Sequence, residues 1–148
     1  MKLSAIAAAT LTAAVAVPAS AEISDGKVKI GILNDQSGVY AEFGGRSSIE
    51  AARMAVEDFG GSVNGAPIEL VSADHQNKAD IGANIARAWV DREGVVAVAD
   101  AVNSSVGLAV NDVMRERKRT FIASNVGTSD LTGKFCSPNT VQWTFDTW

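Results

Sequence analysis

Two short loops carry the residues best suited to hold a small molecule. Asn103-Ser104-Ser105 opens an amphipathic segment, and Asn125-Val126-Gly127-Thr128-Ser129 follows an apolar run. At a helix start, free backbone N–H groups and the positive end of the dipole favour a carboxylate. A serine hydroxyl adds a donor. The commoner task of such a serine is to cap the helix, and Ser104 or Ser105 could do only that. Two polar loops converging on one point are what a small-solute site needs. A third loop, Asn34 to Gly44, brings Tyr40 and Phe43. Phe43 either covers an apolar part of a ligand or closes the next helix as a staple.

Catalytic arrangements are missing from the sequence. No serine sits in a G-x-S-x-G elbow. His75 is the only histidine, and in a polar loop it is expected to be solvated. Asp74 and His75 do not have metal-ligand spacing. Gly44-Gly45 and Gly60-Gly61 are not a phosphate loop, because no G-x-G-x-x-G follows the first strand. Cys136 has no base near it in sequence. The expectation is a non-enzyme with no catalytic residues, no metal and no cofactor.

The elements that would position these loops alternate strand and helix. Val28 to Leu33 reads as a strand. Gly45 to Phe59 reads as a helix with Ile49, Ala52, Val56 and Phe59 on one face, ended by Gly60-Gly61. Asn64-Gly65 is a turn signal, and Ile68 to Ala73 the second strand. A second helix starts near Asn77, which can cap it, with Ile81, Ile85, Ala88 and Trp89 inward and Gly94 at its end. Val95 to Asp100 is nearly all apolar, which suits a strand covered on both faces. The third helix turns Val106, Val110, Val113 and Met114 inward and ends in the basic run Arg115 to Arg119. Thr120 to Ser124 is the fourth strand. This order predicts an α/β fold, an open parallel sheet with flanking helices. Ligands then bind beyond the carboxyl ends of the strands, where all four loops are rich in Ser, Thr, Asn and Gly: Asn34 to Gly44, Asp74 to Lys78, Ala101 to Ser105 and Asn125 to Thr132.

The N-terminus has the parts of an export signal. Met1-Lys2 is a positive start, Leu3 to Val17 is apolar or small, and Pro18-Ala19-Ser20-Ala21 supplies the cleavage site. The apolar run is too short for the roughly 20 residues that span a bilayer. Cleavage after Ala21 would leave 127 of the 148 residues and, without Lys2, 12 basic against 17 acidic side chains, a net charge of −5. Such a chain can build one core and is not made to grip nucleic acid or an anionic membrane. Cys136 is the one cysteine. It is either a small buried hydrophobe or half of a disulfide with a cysteine beyond residue 148. Val141, Trp143 and Phe145 alternate with Gln142, Thr144 and Asp146 as in a half-buried strand. The expectation is the N-terminal piece of a longer protein.

Three stretches together resemble one family. KVKIGILNDQSGVYAEFGGRSSIEAARMAVEDF, NGAPIELVSADHQNKADIGANIARAWVDREGVVAV and FIASNVGTSDLTG are similar to the periplasmic substrate-binding proteins of branched-chain amino acid ABC transporters. The resemblance implies a bilobal, type I binding protein. Residues 1–21 would be its signal peptide and 22–148 an incomplete N-terminal lobe, with the second lobe and hinge absent. It implies a periplasmic receptor for a small carboxylate or amino acid, with an ABC transporter permease as partner and no membrane insertion of its own. The family's first-loop aromatic falls on Phe43. Its carboxylate-binding serine falls on Ser104, beside Ser105. Its loop for the amino and carboxylate groups falls on Asn125 to Thr128. Gly127 stands where the family has threonine, with Thr128 one place on, which puts aromatic or other carboxylic acids beside amino acids as ligands. Asn77 and Asn103 stand in the regions where some relatives have a cysteine pair. The same fold also serves as the ligand domain of signalling receptors.

Overall fold

The computed structural model describes residues 24–148; the expected signal peptide lies outside the described residues. After a 3-10 turn at Ser24–Gly26 come β1 (Val28–Asn34), α1 (Gly45–Phe59), β2 (Ser62–Val63), β3 (Ala66–Asp74), α2 (Ala79–Arg92), β4 (Val95–Asp100), α3 (Ser104–Glu116) and β5 (Thr120–Ala123). A second 3-10 turn, Ser129–Leu131, leads to β6 (Thr140–Gln142).

The strands lie in the order β2-β3-β1-β4-β5-β6. All pairs are parallel except the short β2–β3 hairpin, whose Asn64-Gly65 turn has both residues at positive φ. From β1 the chain winds one way to β3, then crosses back over β1 to β4. The winding direction therefore reverses between β1 and β4, and a crevice opens beyond their carboxyl ends. Right-handed crossovers put α1 on one face of the sheet. The packed pair α2 and α3 lies on the other.

The core sits on the α2–α3 side. Leu33, Trp89, Val98, Val106, Val110, Met114 and Phe121 are buried there. Each such side chain contributes about 1.5–3 kcal/mol by leaving water. Trp89 lies flat on β1 at Gly31, where a Cβ would come 2.4 Å from the indole ring. Asn111 is the buried polar tie: its Nδ2 donates to Phe135 O at 3.0 Å, and its Oδ1 accepts from Thr140 Oγ1 at 2.6 Å. That anchors β6 to α3.

Several expectations are corrected here. Phe59 is 67 % exposed, because only the start of α1 is buried against the sheet. On α2 the fully buried positions are Gly82, Ala86 and Trp89, so the inner stripe runs one residue beyond Ile81 and Ile85, which are half-buried. Asn77 does not cap α2; its N-cap is Lys78, with no side-chain hydrogen bond. In β4, Val96, Ala97 and Ala99 are only half-buried, so cover is thinner than a two-sided strand would have. β6 stops at Gln142, and Val141, Trp143 and Phe145 are all exposed. Cys136 is exposed rather than buried. His75 is fully buried, not solvated, because its side chain lies against Gly82 of α2.

Candidate functional site

Each loop at the carboxyl edge is shaped by a buried polar residue at its strand end. Asn34 donates from Nδ2 to Gly45 O at 2.6 Å and holds the first turn of α1 against β1. Asp35 is buried, and its carboxylate accepts from the N–H groups of Gly38 at 2.8 Å and Tyr40 at 3.0 Å. This curls the first loop and presents Tyr40 and Phe43. Asp74 joins that loop to the next one. It accepts from Gln36 N at 3.0 Å, Gln76 N at 2.7 Å and Ser37 Oγ at 2.5 Å. Burial opposes its charge, but the Ser37 hydroxyl and the two N–H groups outweigh it and hold the carboxyl below its ordinary range.

The third loop turns sharply. Asp100 and Ala101 both take positive φ, 86° and 63°. Each non-glycine residue so placed costs about 1–2 kcal/mol. The turn is held by Ala101 N–H donating to Leu33 O at 2.8 Å. It delivers Asn103 as the N-cap of α3. Asn103 Oδ1 accepts from Ser105 N, Val106 N and Ser105 Oγ, and its Nδ2 donates to Asn77 Oδ1 at 2.7 Å. Neither Ser104 nor Ser105 is the cap. Ser104 is left as the first residue of α3 and lines the pocket.

The fourth loop packs on α3 through Val126. A Cβ at Gly107 would meet a Val126 methyl at 2.6 Å, so glycine lets the loop approach the helix. The segment after β6 folds onto the same loop. Gln142 Nε2 donates to Val126 O and Phe145 O, Thr144 Oγ1 to Ser124 O, and Thr147 N to Gly127 O. Phe145 is thereby set beside Gly127, where a Cβ would come 3.4 Å from the ring.

These loops line an open pocket of about 320 Å³. Tyr40, Phe43, Val102 and Phe145 form its apolar wall, and Asn103, Ser104, Asn125 and Gly127 its polar side. None of the lining residues carries a charge. Of the expected site residues, Phe43, Ser104, Asn125 and Gly127 come together here. Ser105 and Thr128 do not line the pocket: Ser105 binds Asn103, and Thr128 Oγ1 accepts from Asp130 N to cap the 3-10 turn. Phe43 is 63 % exposed, so it does not serve as a buried staple. The sequence placed Asn103 in a binding loop but assigned the cap to a serine, and it gave Val102 and Phe145 no place at the site. The signal for Asn103 was present, since asparagine is as good a cap as serine. Phe145 had no local signal. Among the described residues no group of His, Cys, Asp and Glu is placed to hold a metal ion, and no helix is long and apolar enough to cross a membrane.

Residues 27–148 match the sequence model of a family described as "Periplasmic binding protein". No curated protein matches the chain. Among solved structures, a periplasmic binding protein from Burkholderia mallei is 47 % identical with a TM-score of 0.80, over 82 % of this chain and 32 % of that one. A branched chain amino acid ABC transporter periplasmic ligand-binding protein from Burkholderia xenovorans LB400 is 38 % identical with a TM-score of 0.79, over 81 % of this chain and 32 % of that one. An ABC transporter solute binding protein from R. palustris, in complex with benzoate, is 26 % identical with a TM-score of 0.75, over 82 % of this chain and 33 % of that one. The chain thus spans about a third of the length of the solved structures it matches.

Proposed function

The chain belongs to the periplasmic binding protein family, and on that premise we propose that it grips a small carboxylate for an ABC transporter. It does so as part of an exported receptor, cleaved after Ala21, that hands its solute to a membrane permease without chemical change. The observation that carries this is the placement of Ser104. It stands at the N-terminus of α3, at the mouth of an uncharged pocket with an aromatic wall. The carboxylate lies toward Ser104 and Asn125, and the apolar body lies on Tyr40, Phe43 and Phe145. A second lobe closes over the solute from the other side, as in a two-lobe receptor that hinges shut.

A branched-chain or other amino acid is the first reading of the ligand, in line with the name of the Burkholderia xenovorans relative. An aromatic or other carboxylic acid is the second. It is favoured by three rings around the pocket and by the R. palustris relative with benzoate. The same lobe would also suit the ligand domain of a signalling receptor; a transmembrane segment in the full-length protein would mark that case.

A thermal-shift screen of the intact receptor against leucine, isoleucine, valine, benzoate and 4-hydroxybenzoate tests the proposal. A ligand at a hundred times its Kd stabilises the folded state by about 2.7 kcal/mol. At least one of these acids is expected to raise the midpoint. A panel with no response would sink the reading.

A further inference from the structure

His75 is fully buried although nothing in the binding reading uses it. Its Nδ1 accepts the Asn77 N–H at 3.0 Å, so the neutral ring carries its proton on Nε2. That bond closes a turn in which Gln76 and Asn77 both have positive φ, 52° and 57°. Two such residues in succession are unfavourable for L-amino acids, and the imidazole holds them together with Asp74, which accepts from Gln76 N, and with His75 O, which accepts from Lys78 N. Asn77 passes the constraint on: its Oδ1 accepts from Asn103 Nδ2 at 2.7 Å. Asn103 in turn caps α3, beside Ser104 and the pocket. A continuous chain of hydrogen bonds runs from a buried imidazole to the proposed carboxylate site.

The far side of the ring points the same way. Buried His75 Nε2 and both buried carboxylate oxygens of Asp100 have no hydrogen-bond partner among protein atoms. The two residues flank the end of β1: His75 N–H donates to Asn34 O, and Ala101 N–H donates to Leu33 O. The carboxylates of Asp35 at the end of β1, Asp74 at the end of β3 and Asp100 at the end of β4 all act on the ring. α2 meets it with Gly82, next to Val106 of α3, and the charged side chains at the start of α2, Lys78 and Asp80, are exposed.

We propose that His75 is a positioning residue for the binding pocket: its neutral imidazole holds the Gln76–Asn77 turn and, through Asn103, the N-terminus of α3, and protonation releases them. A proton taken from solvent at Nδ1 consumes the lone pair that Asn77 N–H uses. The carboxylates of Asp35, Asp74 and Asp100 then favour the charged ring, while the turn loses one of its acceptors. Burial, against the pull of the three carboxylates, keeps the ring's pKa below its ordinary 6.5. The unfolded chain therefore binds the proton more readily. The stability held by the neutral ring is complete above pH 6.5 and is lost as pH falls through the lower folded value.

The proposal concerns the pocket of the preceding reading, but its test needs no ligand, so the two can fail separately. Hydrogen exchange of the intact protein is followed by mass spectrometry over residues 74–80 and 100–110, with rates corrected for the intrinsic effect of pH. The parent is compared with His75→Asn, which keeps an acceptor near Nδ1 and does not titrate, and with His75→Leu, which has none. In the parent, protection of the first turn of α3 is expected to fall about fivefold between about pH 7.5 and 4.5, the population change of one lost hydrogen bond. His75→Asn should hold steady over that range, and His75→Leu should be poorly protected throughout. If His75→Leu does not fold, the parent and His75→Asn still decide. A flat parent profile, or the same fall in His75→Asn, overturns the proposal.

Discussion

Asn103 should be the most sensitive single position at the site, and two substitutions separate its tasks. Its Oδ1 caps α3 by accepting from Ser105 N at 2.7 Å and Val106 N at 3.2 Å. Its Nδ2 ties the loop after β4 to the loop after β3 through Asn77. Asn103→Ala removes both. Losing the cap costs about 1 kcal/mol, up to about 2, and losing the tether about 1 kcal/mol. Because the two share one side chain, about 2 kcal/mol in total is the expected loss. Asn103→Asp keeps the cap, gains a charge suited to a helix N-terminus, and loses only the tether. It should fall within about 1 kcal/mol of the parent. Urea unfolding of the intact protein measures both, with the slope m checked for constancy. The order parent, Asp, Ala is expected. In ligand titrations Asn103→Asp should nevertheless bind a carboxylate worse than the parent, since it sets a like charge on the pocket wall. Equal midpoints for the parent and Asn103→Ala would refute the assignment of Asn103 as the cap.

Other outcomes follow from the same geometry. Gly31→Ala drives a Cβ to within 2.4 Å of the Trp89 ring and should cost about 1–3 kcal/mol of stability by overpacking; an unchanged midpoint in urea would contradict the packing described. Gly107→Ala gains about 1 kcal/mol of helix propensity but strikes Val126, so calorimetry should show weaker ligand binding through displacement of Asn125 and Gly127. Asp74, held below its ordinary 3.8, contributes stability that is complete above that pH and is lost as pH falls through its lower folded value. Asp74→Asn should therefore lower stability at neutral pH and flatten the acid limb; an acid limb as steep as the parent's would count against the Ser37, Gln36 and Gln76 bonds.

The regular elements were readable from punctuation and period. Gly45–Phe59 and Val95–Asp100 appear in the structure with the expected bounds. Gly60 and Gly94 take the positive φ that ends the helices before them. Parallel order followed from alternation of strand and helix, since a parallel neighbour requires a crossover. What local pattern could not reveal was decided by contacts distant in sequence. Asn103, Ser104 and Ser105 are all competent caps, and the strained Asp100–Ala101 turn determines which of them ends the extended stretch. His75 looked solvated because its neighbours are polar, yet its own side chain is buried against Gly82 of α2. Phe145 reaches the pocket because Gln142, Thr144 and Thr147 tie its segment to Ser124 O, Val126 O and Gly127 O. One face of α1 read as apolar in period through Ile49, Ala52, Val56 and Phe59, but Phe59 at its end is left exposed.

The central claim is that Ser104 and the pocket beside it bind a small carboxylate. Calorimetric titration of the intact receptor with the acid that most raises its midpoint, repeated on Ser104→Ala, tests it directly. Losing one hydrogen bond to a charged group costs about 1.5–3 kcal/mol, or about tenfold to a hundredfold in Kd. The account predicts one saturable site in the parent and that weakening in Ser104→Ala. Equal affinity in both proteins would contradict it.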